Sequence, residues 1–147
     1  MNLNRVPTVD NLLKRNIGVS DLSCQLCNSS DESVYHSFIA CYIASLVWNG
    51  ISVWCKIPPI FAFSTQDLFS IYSGLGVSEK KKEIIQGVIM VACWSIWRAR
   101  NSLRFSNSPV KIEGILSEIK TLSFLWYSSR SKCKRVEWKD WISFVNM

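Results

Sequence analysis

The feature that most constrains this chain is a group of three cysteines and one histidine near its N-terminus. Cys24 and Cys27 form a Cys-x2-Cys pair, eight residues follow, and His36 and Cys41 form a His-x4-Cys pair. Three thiolates and one imidazole are the ligands of a closed tetrahedral zinc site. A Cys-x2-Cys turn followed closely by His and Cys is a good indication of such a site. The spacing therefore predicts a structural Zn²⁺ that holds the N-terminal region together.

Spacing alone leaves two alternatives open. The group could be a chance cluster in a cysteine-rich chain, or Cys55 could replace His36 as the fourth ligand. We rank Cys55 lower because it follows a long apolar stretch and lies farther along the chain. Residues five apart point about 140° apart on an α-helix, so His36 and Cys41 cannot both be ligands from one regular helix. We expect a bent segment, with a helix that starts near Cys41.

The composition indicates a folded protein and restricts the cellular compartments in which we expect it. Of its 147 residues 48% are hydrophobic and seven are Trp, which excludes a disordered tail and is enough for one domain with a core. The N-terminus has none of the features of a signal peptide. The longest uncharged apolar run, residues 84–97, is shorter than the roughly 20 residues that a bilayer requires. We expect an intracellular protein of the nucleus or cytoplasm, neither secreted nor membrane-spanning, whose cysteines bind metal or lie buried.

The net charge of +6 is unevenly distributed along the chain. Residues 1–50 sum to −1, residues 51–100 to +3 and residues 101–147 to +4. If nucleic acid binds, its phosphates should therefore meet the C-terminal two thirds and not the metal site. The candidate nucleic-acid-binding residues are Arg100, Arg104, Arg130, Lys132, Lys134 and Arg135. The alternative for the first two is a solvated rim around a core residue, Trp97.

Hydrophobic spacing predicts a mainly α-helical protein, in which a small zinc-held N-terminal region packs on a bundle of about five to six helices. The first three predicted helices span residues 8–16, residues 41–55 and a short segment after Ser64. The fourth begins at residue 79 and ends between residues 101 and 107, the fifth spans residues 110–129, and the last is a short C-terminal segment. Thr8, Ser64 and Ser78 are the expected N-caps, and Gly18 the expected stop of the first helix. Residues 84–97 are apolar on nearly every face, which predicts a buried central helix.

Three regions follow from this pattern. Residues 1–55 form the zinc-binding region, residues 56–77 a linker with a short helix, and residues 78–147 a helical region, and the three could form one continuous domain. We expect Phe61 and Phe63 of the linker to pack, Cys93 to lie in the core, and residues 29–33 to form a polar tip between the two ligand pairs.

Several segments together resemble a known family. They are Arg5–Gly18 with its Pro-Thr-x-x-Asn-Leu opening, the two ligand pairs, Val47–Trp48, Trp94–Asn101 and Ser123–Trp126. This order is similar to the zinc-binding domain that follows the polymerase in plant non-LTR (LINE-type) reverse transcriptases. The resemblance implies a zinc-binding, nucleic-acid-associated accessory domain of a mobile element. The family has a Phe/Trp-rich helix before the opening, and its absence here suggests a truncated copy. Tyr42 stands where the family has Pro.

The sequence offers no candidate catalytic residues. His36 is the only histidine, so a zinc ligand there leaves none for a Ser-His or Cys-His pair. Phosphate-binding glycine loops and adjacent Asp-Asp pairs are also absent from the sequence. We therefore expect a non-enzymatic accessory domain that binds RNA or DNA through its basic part, or that docks on a reverse transcriptase polypeptide. The alternatives are a purely structural or protein-interaction domain and a relic of a decayed element. The oligomeric state is left open.

Overall fold

The computed structural model describes residues 2–130, 136–145 and 147. Within these residues the chain is helical and contains no β-strand. The six α-helices are α1 (Val9–Lys14), α2 (Tyr42–Cys55), α3 (Thr65–Ser70), α4 (Glu79–Ser106), α5 (Ile112–Arg130) and α6 (Trp138–Ser143). Short 3₁₀ turns at Leu3–Arg5 and Ile71–Gly74 and a π turn at His36–Ala40 complete the order. The predicted mainly helical class with five to six helices is confirmed, and the division into three regions stays a prediction.

Four helices of the described chain end at or beside a residue in the left-handed conformation. Asn16 follows α1 with φ 58°, and the C-caps are Lys56 of α2 with φ 54°, Asn107 of α4 with φ 49° and Phe144 of α6 with φ 51°. A left-handed residue lets the last turn of a helix satisfy its free carbonyl groups. The expected role of Gly18 in stopping the first helix is wrong, because the chain has already turned at Asn16.

The serine caps are confirmed, but the cap of α1 is unusual. The hydroxyl oxygens of Ser64 and Ser78 accept backbone N–H groups in the first turns of α3 and α4. Thr8 has the extended backbone of an N-cap, yet its side chain makes no capping bond. The backbone N–H of Val9 instead donates to the carboxylate of Glu32 at 2.8 Å. A distant carboxylate thus accepts the first N–H group of the helix.

The α4 and α5 helices form the centre of the protein. They run antiparallel, since Arg98 pairs with Glu118 while Gly87, earlier in α4, faces Trp126, later in α5. The buried apolar residues of α4 are Ile84, Ile85, Val88, Ile89, Ala92, Cys93 and Ile96. This confirms the predicted central helix and the core position of Cys93. One stripe of α4 is nevertheless open to solvent, where Met90 and Trp94 are 41% and 43% exposed.

The C-terminal helix folds back onto this centre. Trp141 is fully buried and donates its indole N–H to the carbonyl of Lys120 at 3.0 Å. Its own carbonyl accepts the indole N–H of Trp54 at 3.0 Å, which ties α6 to α2 across 87 residues of chain. Buried tryptophans of this kind contribute a large apolar area while their N–H groups remain bonded.

The linker differs from expectation. Phe61 and Phe63 are 72% and 74% exposed and make an edge-to-face contact with each other at 5.0 Å, so they do not pack into the core as predicted. Their apolar neighbours Ile60 and Ala62 turn inward instead, as expected for an extended segment with alternating sides. No helix in the described part of the chain has the length and apolar composition to cross a membrane.

Candidate metal centre

The four predicted ligands meet at one point. The sulfurs of Cys24, Cys27 and Cys41 and a ring nitrogen of His36 all lie within 4.8 Å of one another. The Sγ atoms of Cys24 and Cys41 are 3.9 Å apart, and the Sγ of Cys27 lies 3.2 Å from Nε2 of His36. Tetrahedral zinc with ordinary bond lengths requires S–S edges of about 3.8 Å and S–N edges of about 3.5 Å. The donor set therefore fits zinc, and Cys55 lies outside it, at the end of α2.

The first ligand pair is held by a tight turn. The backbone N–H of Asn28 donates to the carbonyl of Cys24 at 2.8 Å, and Asn28 takes the left-handed conformation with φ 55°. The N–H of Ser29 points at the Sγ of Cys27 at 3.5 Å. Backbone N–H groups aimed at ligand sulfurs stabilise thiolates and orient them for a metal.

The two segments that flank this turn pair with each other through backbone hydrogen bonds. Ser23 and Asp31 form an isolated antiparallel bridge, and the N–H of Cys24 donates to the carbonyl of Ser30 at 2.8 Å. Asp21 accepts the backbone N–H of Ser23 at 3.0 Å, which closes an Asx-type turn at the start of the loop. The loop is therefore ordered by its own hydrogen bonds as well as by its ligands.

The second ligand pair is positioned by the π turn. The backbone N–H of Cys41 donates to the carbonyl of His36 at 2.7 Å, an i to i+5 bond that joins the two ligands themselves. Cys41 then leaves the turn with an extended backbone and becomes the N-cap of α2. The wider π turn brings residues five apart towards one side, which a regular α-helix cannot do. The predicted bent segment, with a helix that starts near Cys41, is confirmed.

The site is closed and its thiols are coupled. Cys24 and Cys41 are fully buried, and the other two ligands are partly buried. The hydrogen bond to Cys41, together with burial, raises the pKa of Cys24, while the same bond lowers the pKa of Cys41. A bound cation would displace the thiol protons, because metal binding to cysteine releases protons from the thiols.

The comparison with known families decides how this site is interpreted. Residues 1–48 match the sequence model of a family described as zinc-binding in reverse transcriptase. The matched segment contains α1 and all four ligands, and it covers the first third of the chain. No curated protein and no solved structure matches the chain. The resemblance to a reverse-transcriptase zinc-binding domain is thereby supported for this region.

The zinc-binding region is attached to the rest of the protein by a residue that sequence reasoning missed. Glu32 was expected at an exposed polar tip, but it is 2% exposed. Its two carboxylate oxygens accept from Nε and Nη2 of Arg100 at 2.6 and 2.7 Å, and one of them also accepts from Val9. The polar run around Glu32 contains no signal that could have revealed this partner 68 residues away.

The π turn of the zinc-binding region also packs on two helices. The ring of Phe38 is fully buried and stacks on Trp97 of α4, with centroids 6.2 Å apart. The carbonyl of Phe38 accepts the indole N–H of Trp48 from α2 at 2.7 Å. The alternative that Trp97 belongs to the core is therefore favoured over a binding role. The guanidinium of Arg100 lies over its ring at 4.6 Å.

The candidate nucleic-acid-binding residues are not brought together in the described structure. Arg100 is 2% exposed and engaged by Glu32, so its predicted phosphate contact is corrected to a buried ion pair. Arg104 is half-buried, and its charge adds to the hydrogen bonds of Ser23 that lower the pKa of Asp21. Arg130 is exposed at the end of α5. The remaining three, Lys132, Lys134 and Arg135, lie outside the described residues.

Proposed function

We propose that this chain is a non-catalytic accessory domain of a reverse-transcriptase-type protein, held by one structural Zn²⁺. The observation that supports it is the convergence of Cys24, Cys27, His36 and Cys41 within one coordination sphere. A bound zinc ion would supply folding free energy here, on the order of 10 kcal/mol for small zinc modules. The chain's own contribution is the tight turn and the π turn that aim the four donors at one point.

The closed donor set supports a structural role over a catalytic one. Catalytic zinc sites have three protein ligands and leave a position for water or substrate, whereas this region offers four ligands. Two of these ligands, Cys24 and Cys41, are fully buried, so substrate has no approach from their side. The one histidine of the sequence is among the ligands, and none remains as a general base.

Metal content of the purified protein tests this proposal. We expect about one zinc per chain for the wild type and a large loss in the double variant His36→Ala, Cys41→Ala, because two ligands cannot hold the ion tightly. Cys93→Ala is the matched control, since it removes a buried thiol outside the group and should keep its zinc. Equal zinc content in all three proteins would refute the proposed site.

The finer assignment, to a plant LINE-type retroelement protein with a reverse transcriptase polypeptide as partner, is also a proposal. It is supported by the similarity of Trp94–Asn101 and Ser123–Trp126, which lie beyond the matched residues. A reverse transcriptase reading frame directly upstream at the genomic locus is the expected observation. A locus without any polymerase sequence nearby would count against it.

Nucleic-acid binding is a second candidate function, favoured by the charge distribution. The net positive charge lies in residues 51–147, and Arg130 exposes its side chain at the start of the densest basic stretch. We expect micromolar binding of single-stranded RNA or DNA that weakens steeply as salt rises. Arg130→Gln should reduce the slope of the log–log salt plot by about 0.7 for each lost phosphate contact. The control is Arg15→Gln, which replaces an exposed arginine of the zinc-binding region. If the two variants change the slope of the salt plot equally, or if no binding is detected at low salt, this candidate function is refuted.

A further inference from the structure

An apolar groove runs along the solvent side of α4 and α5. It encloses about 240 Å³ and is lined by Gly87, Met90, Val91, Trp94, Leu122 and Trp126. Trp94 and Met90 are each more than 40% exposed. Neighbouring apolar side chains left open to water are typical of binding surfaces. We refer to these six lining residues as the α4–α5 groove.

Each end of the α4–α5 groove is marked by an arginine. Arg98 lies over the ring of Trp94 at 5.3 Å, and Arg130 lies over the ring of Trp126 at 5.2 Å. Because the helices are antiparallel, these two cations stand at opposite ends. Arg98 also pairs with Glu118 at 3.3 Å, but this exposed pair is weak and leaves the guanidinium accessible.

We propose that the α4–α5 groove docks an amphipathic helix of a partner protein whose apolar stripe is flanked at both ends by carboxylates. The groove is smaller than the roughly 300–1,000 Å³ of small-molecule pockets, so it suits a few aliphatic side chains better than a whole cofactor. A helix that presents side chains at i, i+3, i+4 and i+7 offers such a row. Carboxylates at its ends complement Arg98 and Arg130.

The same features disfavour two other occupants. A single nucleic-acid strand needs open aromatic faces on which bases stack, whereas one face of Trp94 and one of Trp126 already hold an arginine. A second copy of this chain would form a two-fold interface in which each surface meets itself. Such an interface places Arg98 and Arg130 against arginines of the other copy, and like charges in contact oppose association.

The test uses the full chain loaded with zinc and a fluorescein-labelled synthetic helix of about five turns, with a leucine stripe and glutamates at both ends. We expect fluorescence anisotropy to show a Kd of about 10–100 μM, and about tenfold weaker binding when the end residues are lysines. Met90→Glu in the protein should weaken binding about tenfold. Val53→Glu is the matched control, because Val53 is a 72% exposed apolar residue on α2, and it should change affinity by less than about twofold.

Charge reversal gives a second, independent measurement. Arg130→Glu should bind the two peptides about equally, because Arg98 still attracts glutamate and repels lysine at the other end of the groove. Its thermal unfolding should stay close to that of the wild type because Arg130 is exposed. The proposal is overturned if the glutamate peptide does not bind the wild type, or if the wild type binds both peptides equally. It is also overturned if Val53→Glu weakens binding as much as Met90→Glu. If a single-stranded oligonucleotide displaces the peptide, and Met90→Glu but not Val53→Glu abolishes the binding of that oligonucleotide, the groove is assigned to nucleic acid. If light scattering shows a dimer that Met90→Glu but not Val53→Glu dissociates, the groove is assigned to a second copy of this chain.

Discussion

The carboxylate of Glu32 and the guanidinium of Arg100 form a buried, two-bonded ion pair that joins the zinc-binding region to the central helix α4. The bonds are 2.6 and 2.7 Å long, and the two side chains are 0% and 3% exposed. The same carboxylate accepts the first N–H of α1 through Val9. One glutamate therefore orients α1, the ligand loop and α4 relative to one another.

Loss of either partner of this pair should destabilise the protein strongly. Glu32→Gln leaves the charge of Arg100 buried without a counter-ion, a change that costs about 3–5 kcal/mol in comparable sites. The double variant Glu32→Gln, Arg100→Met should lose less than the sum of the single variants, because it leaves no unpaired charge. Urea unfolding of the zinc-loaded proteins measures both effects.

An exposed pair provides the control for this experiment. Glu118 pairs with Arg98 at 3.3 Å, but both side chains are open to solvent. Glu118→Gln should therefore change the free energy of unfolding by less than about 1 kcal/mol. Equal losses from Glu118→Gln and Glu32→Gln would contradict the role given to the buried pair.

Chelation of the metal should unfold residues 8–48 before the rest. Within that segment α1 has only six residues, and the four donors join the ligand loop to the π turn, so the stability of the segment depends on the ion. The long helices α4 and α5 have their own shared core. Hydrogen exchange with and without chelator measures this directly. Unchanged exchange and circular dichroism after complete metal removal would show that zinc does not stabilise this region.

The contact between α4 and α5 should be sensitive to a single methyl group at Gly87. A Cβ there would lie 2.1 Å from the ring of Trp126. The ring is large and half-buried, so Gly87→Ala should cost about 1–3 kcal/mol through overpacking. Gly114→Ala is the matched control in α5, where a Cβ would meet nothing within 4 Å. That change should stabilise the protein by up to about 1 kcal/mol, because alanine favours a helix over glycine. Thermal unfolding compares the two, and the opposite order would refute the close approach.

The cysteines should divide into two classes in an alkylation experiment. Burial raises the pKa of Cys55 and of Cys93 to about 12, so both remain protonated at pH 8 and lack the reactive thiolate. We expect no modification of either in native protein, before or after chelation. The three cysteine ligands should be protected with zinc and modified after its removal, as mass spectrometry can show. A Cys133→Ser background removes the sixth cysteine, which lies outside the described residues.

The raised pKa values also define a pH dependence. In the unfolded chain the two thiols lose their protons near their ordinary pKa of about 8.5, while in the folded protein they keep them up to about pH 12. The unfolded state thus binds fewer protons in this window. Stability from these two groups is complete below pH 8.5 and falls as pH rises towards 12. Replacing Cys93 by Ala should reduce the slope of stability against pH in that range, and an unchanged slope would contradict the assigned burial effect.

The ligand set and most helices could be predicted from the sequence because they depend on local spacing. The impossibility of joining His36 and Cys41 on one α-helix predicted a bend, and the π turn is that bend. Ser64 and Ser78 begin helices by capping N–H groups only three residues away. The surroundings of the basic residues were harder to predict from the sequence. Sequence spacing placed Arg100 beside Arg104 on one face of a helix, but it did not show which residues pack against that face.

By itself the sequence determined the helical class, the two serine caps and the four converging donors, since each depends on residues close in the chain or on a spacing that zinc itself dictates. Only the tertiary structure decided that Glu32 is buried against Arg100, that Phe61 and Phe63 face solvent, and that Met90 and Trp94 line an open groove. The physical reason is that burial is set by which helices meet. A carboxylate in a polar loop has no local pattern that identifies a guanidinium 68 residues later as its partner.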